Sequence, residues 1–472
     1  MRHILKSGRA VAAAAALVAA SGLAGCSNLK DNLLEAPDPD IIDPSSVKSA
    51  LGAVAVYNGA LAQFRLMTVG SGNAGTEGTW LLGGLLADEW STSSTFVQND
   101  EVDERQTSTS NSSVNGSLRA IYRAATTATQ AIQLLNQYRP DPASTIAEMY
   151  FERGFAYATL ASDFCNGIPI STVNGTDITL GNPLSVTEVF KLAIVSYDSA
   201  LALAKGTDAA SVAIANAAHV GKARALLGVS LDNAAAAAAE VAGVPTTYSY
   251  DVSSSLAGGS NGIYSQGLSQ RRYTVGDSME GNAHDIFVKN ALPFFSAKDP
   301  RLPVKYTVNS KGDTTKAQDG LTYSRTTSLY DRTASTAVVN GIDARLVEAE
   351  AALHAGDAAK MISILNGLRA TTLTIGTLTY NANALKPLSD PGTADARINL
   401  LFREKAFWTF TRGERLNDLR RLVRQYGRAV TNVFPEGNHY RGTTYHTDVN
   451  LPVTTSESNG NPNFTSCTDR KA

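Results

Sequence analysis

Cysteine, tryptophan and methionine are scarce in this sequence, which has three, three and five of them in 472 residues. So few cysteines exclude a disulfide-dense scaffold. An excess of one charge is also lacking, since 41 Lys and Arg oppose 43 Asp and Glu. A mildly acidic chain offers no electrostatic footprint for nucleic acid. Beyond residue 25 there is no apolar run of about eighteen residues, so no later segment reads as a membrane span. Catalytic signatures are missing as well: no His-Glu-x-x-His, no Gly-x-Ser-x-Gly, no phosphate-cradling Gly-x-x-x-x-Gly-Lys and no Cys-x-x-Cys. No cofactor is called for.

The first 26 residues are far more specific. Arg2, Lys6 and Arg9 precede an Ala-rich apolar run from Val11 to Ala20, and Leu23-Ala24-Gly25-Cys26 closes it. A basic start, a short apolar stretch and small residues before a cut describe a secretory signal. The Leu-Ala-Gly-Cys ending resembles a bacterial lipobox, in which the cysteine is lipidated and becomes the first mature residue. Residues 1–25 are therefore expected to be a lipoprotein signal peptide, and Cys26 the lipidation site. Losing three bases and no acid takes the net charge from -2 to about -5. Residues 26–46, with Pro37, Pro39 and Pro44 among acids, read as an extended tether. Cys165 and Cys467 remain, and an even pair in an exported protein is expected to form a disulfide.

The body from residue 47 to 472 alternates two textures. One is helix-periodic and rich in Ala: Leu118, Ile121, Tyr122, Ala125, Ala128, Ile132 and Leu135 recur at three- and four-residue steps. Similar patterns predict helices over 46–66, 145–163, 185–204, 209–228, 342–355, 357–370, 394–411 and 413–427. Several form pairs across short Gly/Asp connections, as in tetratricopeptide-type hairpins, though no clean 34-residue period survives. The fold class is mostly α, a helical-hairpin scaffold over about 117–235 and 342–427. The other texture, at 68–116, 244–340 and 428–472, is rich in Gly, Ser, Thr and Asn with scattered aromatics. These stretches are too long for connectors and too aromatic for disordered linkers. They are expected to form an irregular, loop-rich subdomain, where binding chemistry usually sits.

Within these loops, His439 and His446 flank Tyr-Arg-Gly-Thr-Thr-Tyr and read as solvated loop histidines rather than metal ligands. Asp100, Glu101, Asp103 and Glu104 form an acid cluster that a paired-carboxylate glycosidase would need. Solvated acid clusters are far commoner. Aromatics beside amides and hydroxyls suit sugar rings and peptides alike. Trp90, with Phe96, Asn99 and Asp100 in the first long loop, is the candidate ligand contact. Trp90 either stacks on a ligand or anchors the loop in the scaffold.

Several segments resemble the SusD/RagB family of outer-membrane nutrient-capturing lipoproteins. They are 147–157 (AEMYFERGFAY) with 164–169 (FCNGIP), 345–351 (RLVEAEA), 402–407 (FREKAF) with 413–421 (GERLNDLRR), 449–452 (VNLP) and 461–463 (NPN). They run in order along the whole mature chain. Leu416-Asn417 stands where the family often has an aromatic pair, which separates this chain from the best-studied glycan-binding branch. The resemblance implies four tetratricopeptide-like hairpins with an irregular subdomain and no catalysis. It also implies a TonB-dependent, SusC-like β-barrel transporter as partner, to which an oligosaccharide or peptide is delivered. Asp418, Arg415, Arg420 and Arg421 in the shared motif read as interhelical ion pairs and caps rather than ligand contacts. Two readings of other classes stand beside this one: a secreted glycan hydrolase, and a helical-repeat lipoprotein that only mediates protein contacts.

If Cys26 carries the lipid, Cys26→Ala is expected to move the protein from the membrane fraction to the soluble fraction. Recovery of the variant unchanged in membranes contradicts the assignment.

Overall fold

The computed structural model describes residues 47–71, 77–174 and 177–472. The signal peptide, Cys26 and the whole tether lie outside the described residues. From Lys48 to Ala472 the chain forms one unit, and it is mostly α-helical. The helices are α1 (Ala50–Thr68), α2 (Thr79–Leu86), α3 (Val97–Asp103), α4 (Ser112–Tyr138), α5 (Ala143–Asp163), α6 (Val186–Leu203), α7 (Ala209–Val229), α8 (Ala234–Val241), α9 (Gly341–His354), α10 (Ala358–Arg369), α11 (Ala394–Trp408), α12 (Arg415–Arg424) and α13 (Thr455–Gly460). Strands are short and pair only two by two.

The long helices begin where their sequences supply caps. Ser185 accepts from the Glu188 amide while Glu188 reaches back to the Ser185 backbone, a capping box that starts α6. Asn340 and Asp343 do the same for α9. Asn111 caps α4 and Asp208 caps α7. Successive helices then pack as hairpins: α4 with α5, α6 with α7, and α9 with α10. Small residues permit the close approach. Tyr197 of α6 is wedged against Gly154 of α5 and Gly221 of α7, where an added Cβ would meet its ring at 2.9 and 2.6 Å. Any larger residue at either position displaces the ring.

Helices α2, α3 and α13 fall within the stretches expected to be irregular, and α8 lies beyond the helix predicted over 209–228. Helix α2 is buried on every side. Helix α3 is a short run of mixed polarity. Helix α8, six alanines followed by Glu240-Val241, forms through helix propensity and buries Ala234, Ala237 and Val241.

The loop-rich stretches do not carry a core of their own. Trp80, Trp90, Tyr273 and Phe294 belong to the same buried cluster as Phe155, Phe407, Phe410 and Leu419 from the helices. The join is ionic as well as apolar. Arg415 at the start of α12 grips Asp88 through two bonds of 2.6 and 2.9 Å. Arg412 does the same to Asp343 at 3.0 and 2.6 Å. Within the scaffold, Glu350 of α9 takes Lys405 of α11 at 3.1 Å and Arg421 of α12 at 2.5 Å. Burial opposes the Glu350 charge, but Arg421 and Lys405 outweigh it and hold the carboxyl well below the usual range. Arg420 donates to the Ala161 and Ser162 carbonyls that end α5. The motif helix is thus a set of structural staples.

Cys165 and Cys467 are joined in a disulfide, their Cα atoms 6.0 Å apart. It fastens the C-terminal tail to the segment leaving α5, beside the backbone bridge of Asn166 with Asp469.

Glu89, fully buried beyond the end of α2, accepts from the Thr411 amide at 2.9 Å. Burial pushes its carboxyl up to about 8. Asp163 is pushed up to about 8 by the same cause. An unfolded Glu titrates at about 4.3, so the folded state prefers the protonated form. The resulting stabilisation is complete below that value and is lost as pH rises through about 8. Glu89→Gln is therefore expected to flatten, though not abolish, the fall in unfolding free energy between pH 5 and pH 8, as measured by urea denaturation. An unchanged slope contradicts the assignment.

Candidate functional site

The residues named from sequence fall into two layers. Trp90 lies in the strand Trp90–Thr92, paired antiparallel with Tyr273–Val275. It is 2% exposed and packs against Tyr273 and Phe410, with ring centroids 6.3 and 5.3 Å away. The expectation of an exposed stacking face is thereby corrected. The strand pairing turns the indole inward over the scaffold, so Trp90 anchors the loop. Asn99 is buried too, donating to the Tyr273 hydroxyl at 3.3 Å and accepting from Ser113 at 3.0 Å.

Phe96 and Asp100 lie in the outer layer. Phe96 is half-buried under the Arg272 guanidinium, 4.8 Å from its ring centroid. Asp100 accepts from Thr92 at 3.0 Å and pairs with Arg441 at 2.9 Å. Burial pushes the Asp100 carboxyl upward in spite of Arg441. The structure therefore separates the four candidates into an inner pair and an outer pair.

The other acids of the cluster are committed to structure. Glu101 accepts from Asn111 at 2.8 Å, and Glu104 from Thr443 at 2.8 Å. Asp103 accepts from the Thr92 amide at 2.6 Å and contacts His439 at 3.2 Å. His439 is buried rather than solvated, which corrects the reading from sequence. Burial alone would lower its pKa, but Asp103 and Glu104 raise it on balance. His446 is half-buried, and its amide donates to the Glu104 carbonyl. Among the described residues no cluster of His, Cys, Asp and Glu has the arrangement of a metal site.

Around Asp100 and Phe96 the outer layer continues as one connected face. Arg441 also reaches the Ser94 carbonyl at 2.7 Å and Asp319 at 3.2 Å. Arg272 bonds Gln318 at 3.2 Å. Asp319 in turn organises the Leu321 and Thr322 amides at 2.9 and 3.0 Å. Asn282 accepts from the Tyr323 amide and donates to the Leu321 carbonyl, both at 2.7 Å. Tyr323 leads to Tyr306 (centroids 6.1 Å apart), and Tyr306 to Phe295 and His284. The His284 ring and the Tyr306 hydroxyl share a short hydrogen bond. Lys316 lies 4.0 Å above Tyr323 and Lys298 3.7 Å above Phe295. Leu321 is 62% exposed at the edge.

A shallow depression of about 10 Å³ between Tyr306, Tyr323 and Tyr440, with Thr322 and Asn282 at its side, marks this face. Half-exposed phenol rings, an amide, hydroxyls and ammonium groups suit a hydroxylated or peptidic ligand bound without covalent chemistry. The sequence reading included Tyr306 and Tyr323 among the loop aromatics but missed Arg441, Asp319 and Asn282. Only contacts between segments far apart in the chain reveal them.

No family model and no curated protein matches this sequence. Solved structures do match in fold. A SusD superfamily protein from Bacteroides vulgatus superposes with a TM-score of 0.57 at 17% identity, covering 87% of this chain and 98% of its own. A SusD-like carbohydrate-binding protein from the same species gives 0.55 at 16%, covering 89% and 98%. A SusD/RagB family protein from Bacteroides thetaiotaomicron gives 0.58 at 13%, covering 87% and 94%. The fold is that of the SusD-like proteins, as the resemblance implied.

Because Trp90 is core, Trp90→Ala is expected to lower the unfolding free energy by about 3–5 kcal/mol in chemical denaturation. A variant that keeps its stability contradicts this placement.

Proposed function

We propose that this chain is a non-catalytic nutrient-binding lipoprotein of the outer membrane. It captures an oligosaccharide or a peptide on the face formed by residues 94–100, 271–272, 282–284, 306–325 and 440–441. The observation that carries this reading is that face itself: aromatic, amide and hydroxyl groups held at the surface by loops that are ion-paired to a helical scaffold. A SusD-like fold whose relatives include a carbohydrate-binding protein supports it. Against a glycan hydrolase, Asp103 is buried, and each acid of the 100–104 cluster is tied to a partner within the loop layer.

The Cys26 lipid anchors the protein, and a TonB-dependent, SusC-like transporter receives the cargo. Tether and partner together keep the binding face at high local concentration over the barrel. These parts of the proposal rest on the lipobox and the family resemblance.

Screening the mature protein on a glycan array and a peptide array tests the binding claim. The hit is expected to bind Tyr323→Ala and Tyr306→Ala at least about tenfold more weakly, about 1.4 kcal/mol, with melting temperatures close to wild type. Undiminished binding by both variants, or no binder on either array, contradicts the proposal.

A further inference from the structure

A second recess lies apart from the loop face, between the strands Ser249–Val252 and Thr336–Asn340 and the hairpin Leu373–Tyr380. Its volume is about 310 Å³, at the lower end of the range for small-molecule sites. Its lining is two-toned. Tyr330, Ile342, Leu373 and Ile375 are buried apolar or aromatic lining residues. Around them stand Thr246, Thr247, Ser335 and Thr374, whose hydroxyls bond no other side chain or backbone group among the described residues. The Tyr330 hydroxyl is likewise without a partner there. Asp251, exposed, accepts only from its neighbour Ser249.

The charges decide what class of ligand fits. Arg412 is the one basic residue lining the recess, and both its terminal nitrogens are held by Asp343 and the Val338 carbonyl, with Nε on Ala337. The remaining open charge is the Asp251 carboxylate, which repels anions and accepts hydroxyl protons. Apolar lining with a ring of free hydroxyls and one carboxylate matches a pyranose, whose C–H face is apolar and whose edge is all hydroxyl. Thr374 adds a backbone edge. It is the middle residue of its strand in a two-residue hairpin, so its amide and carbonyl point away from its partner Thr379.

We propose that this recess is a second binding site, specific for a neutral sugar unit and separate from the loop face. Saturation-transfer NMR and calorimetry with maltose, cellobiose, xylobiose and N,N′-diacetylchitobiose test it. At least one of these is expected to bind the wild-type protein, to bind Tyr323→Ala unchanged, and to lose at least tenfold in affinity to Thr374→Trp, which fills the recess from an exposed strand position. Asp251→Asn, which removes the charge without filling space, is expected to weaken the same disaccharide severalfold. The proposal is overturned if no disaccharide binds, if binding ignores Thr374→Trp, or if Tyr323→Ala abolishes it. It is also overturned if a tetra-alanine peptide, and no sugar, occupies the recess.

Discussion

Buried guanidinium–carboxylate pairs around α12 are the constraint on which the remaining architecture depends. Asp88, Asp343, Glu350, Asp418, Arg412, Arg415 and Arg421 are all buried, and a charge in that setting is tolerated only with its partner in place. Removing one member of such a pair costs about 3–5 kcal/mol, because the other is left uncompensated. Glu350 joins α9 to both α11 and α12. Asp418 shares Lys405 with it at 2.6 Å. The relative placement of three helices is thus set by a shared network in which Lys405 and Arg421 both serve Glu350 and Asp418. A purely apolar interface of Ala-rich helices could slide; this one cannot.

The same arginine-rich segment extends the lock to the loops. Asp88 precedes the Trp90 strand, so the Arg415–Asp88 pair and the Trp90–Phe410 contact fasten one segment at adjacent points. Above that inner layer, the outer face is held by a second, less buried set of ions centred on Arg441. Long irregular chain carries a large ordering cost. Here the cost is offset by anchoring each loop at a few buried points, which leaves the outermost side chains free for contact with a ligand.

The helices were legible because their periods, caps and small-residue spacings are local properties. Boundaries over α4 to α7 and α9 to α12 lie within a few residues of those predicted. What escaped was non-local or uniform. Helix α8 is almost all alanine and has no face to detect. The site was less readable still. Trp90 and Asn99 look like loop residues in one dimension and are core residues in three, because the distant strand Tyr273–Val275 pairs with Trp90–Thr92 and its Tyr273 hydroxyl accepts from the Asn99 side chain. Asp100, named as a candidate ligand contact, lies in the outer layer, and its partner Arg441 is 341 positions distant. Motif residues Arg415, Asp418, Arg420 and Arg421 were readable as structural, because a helix dense in both charges needs partners.

The molecule thus divides into an ion-locked helical scaffold and a loop layer whose outer face is the proposed ligand site. Hydrogen–deuterium exchange with and without an oligosaccharide selected on the glycan array tests this division most directly. Protection is expected over residues 94–100, 282–284, 306–325 and 440–441, with the α4–α7 hairpins unaffected. Protection confined to those hairpins, with the loop segments unchanged, contradicts it.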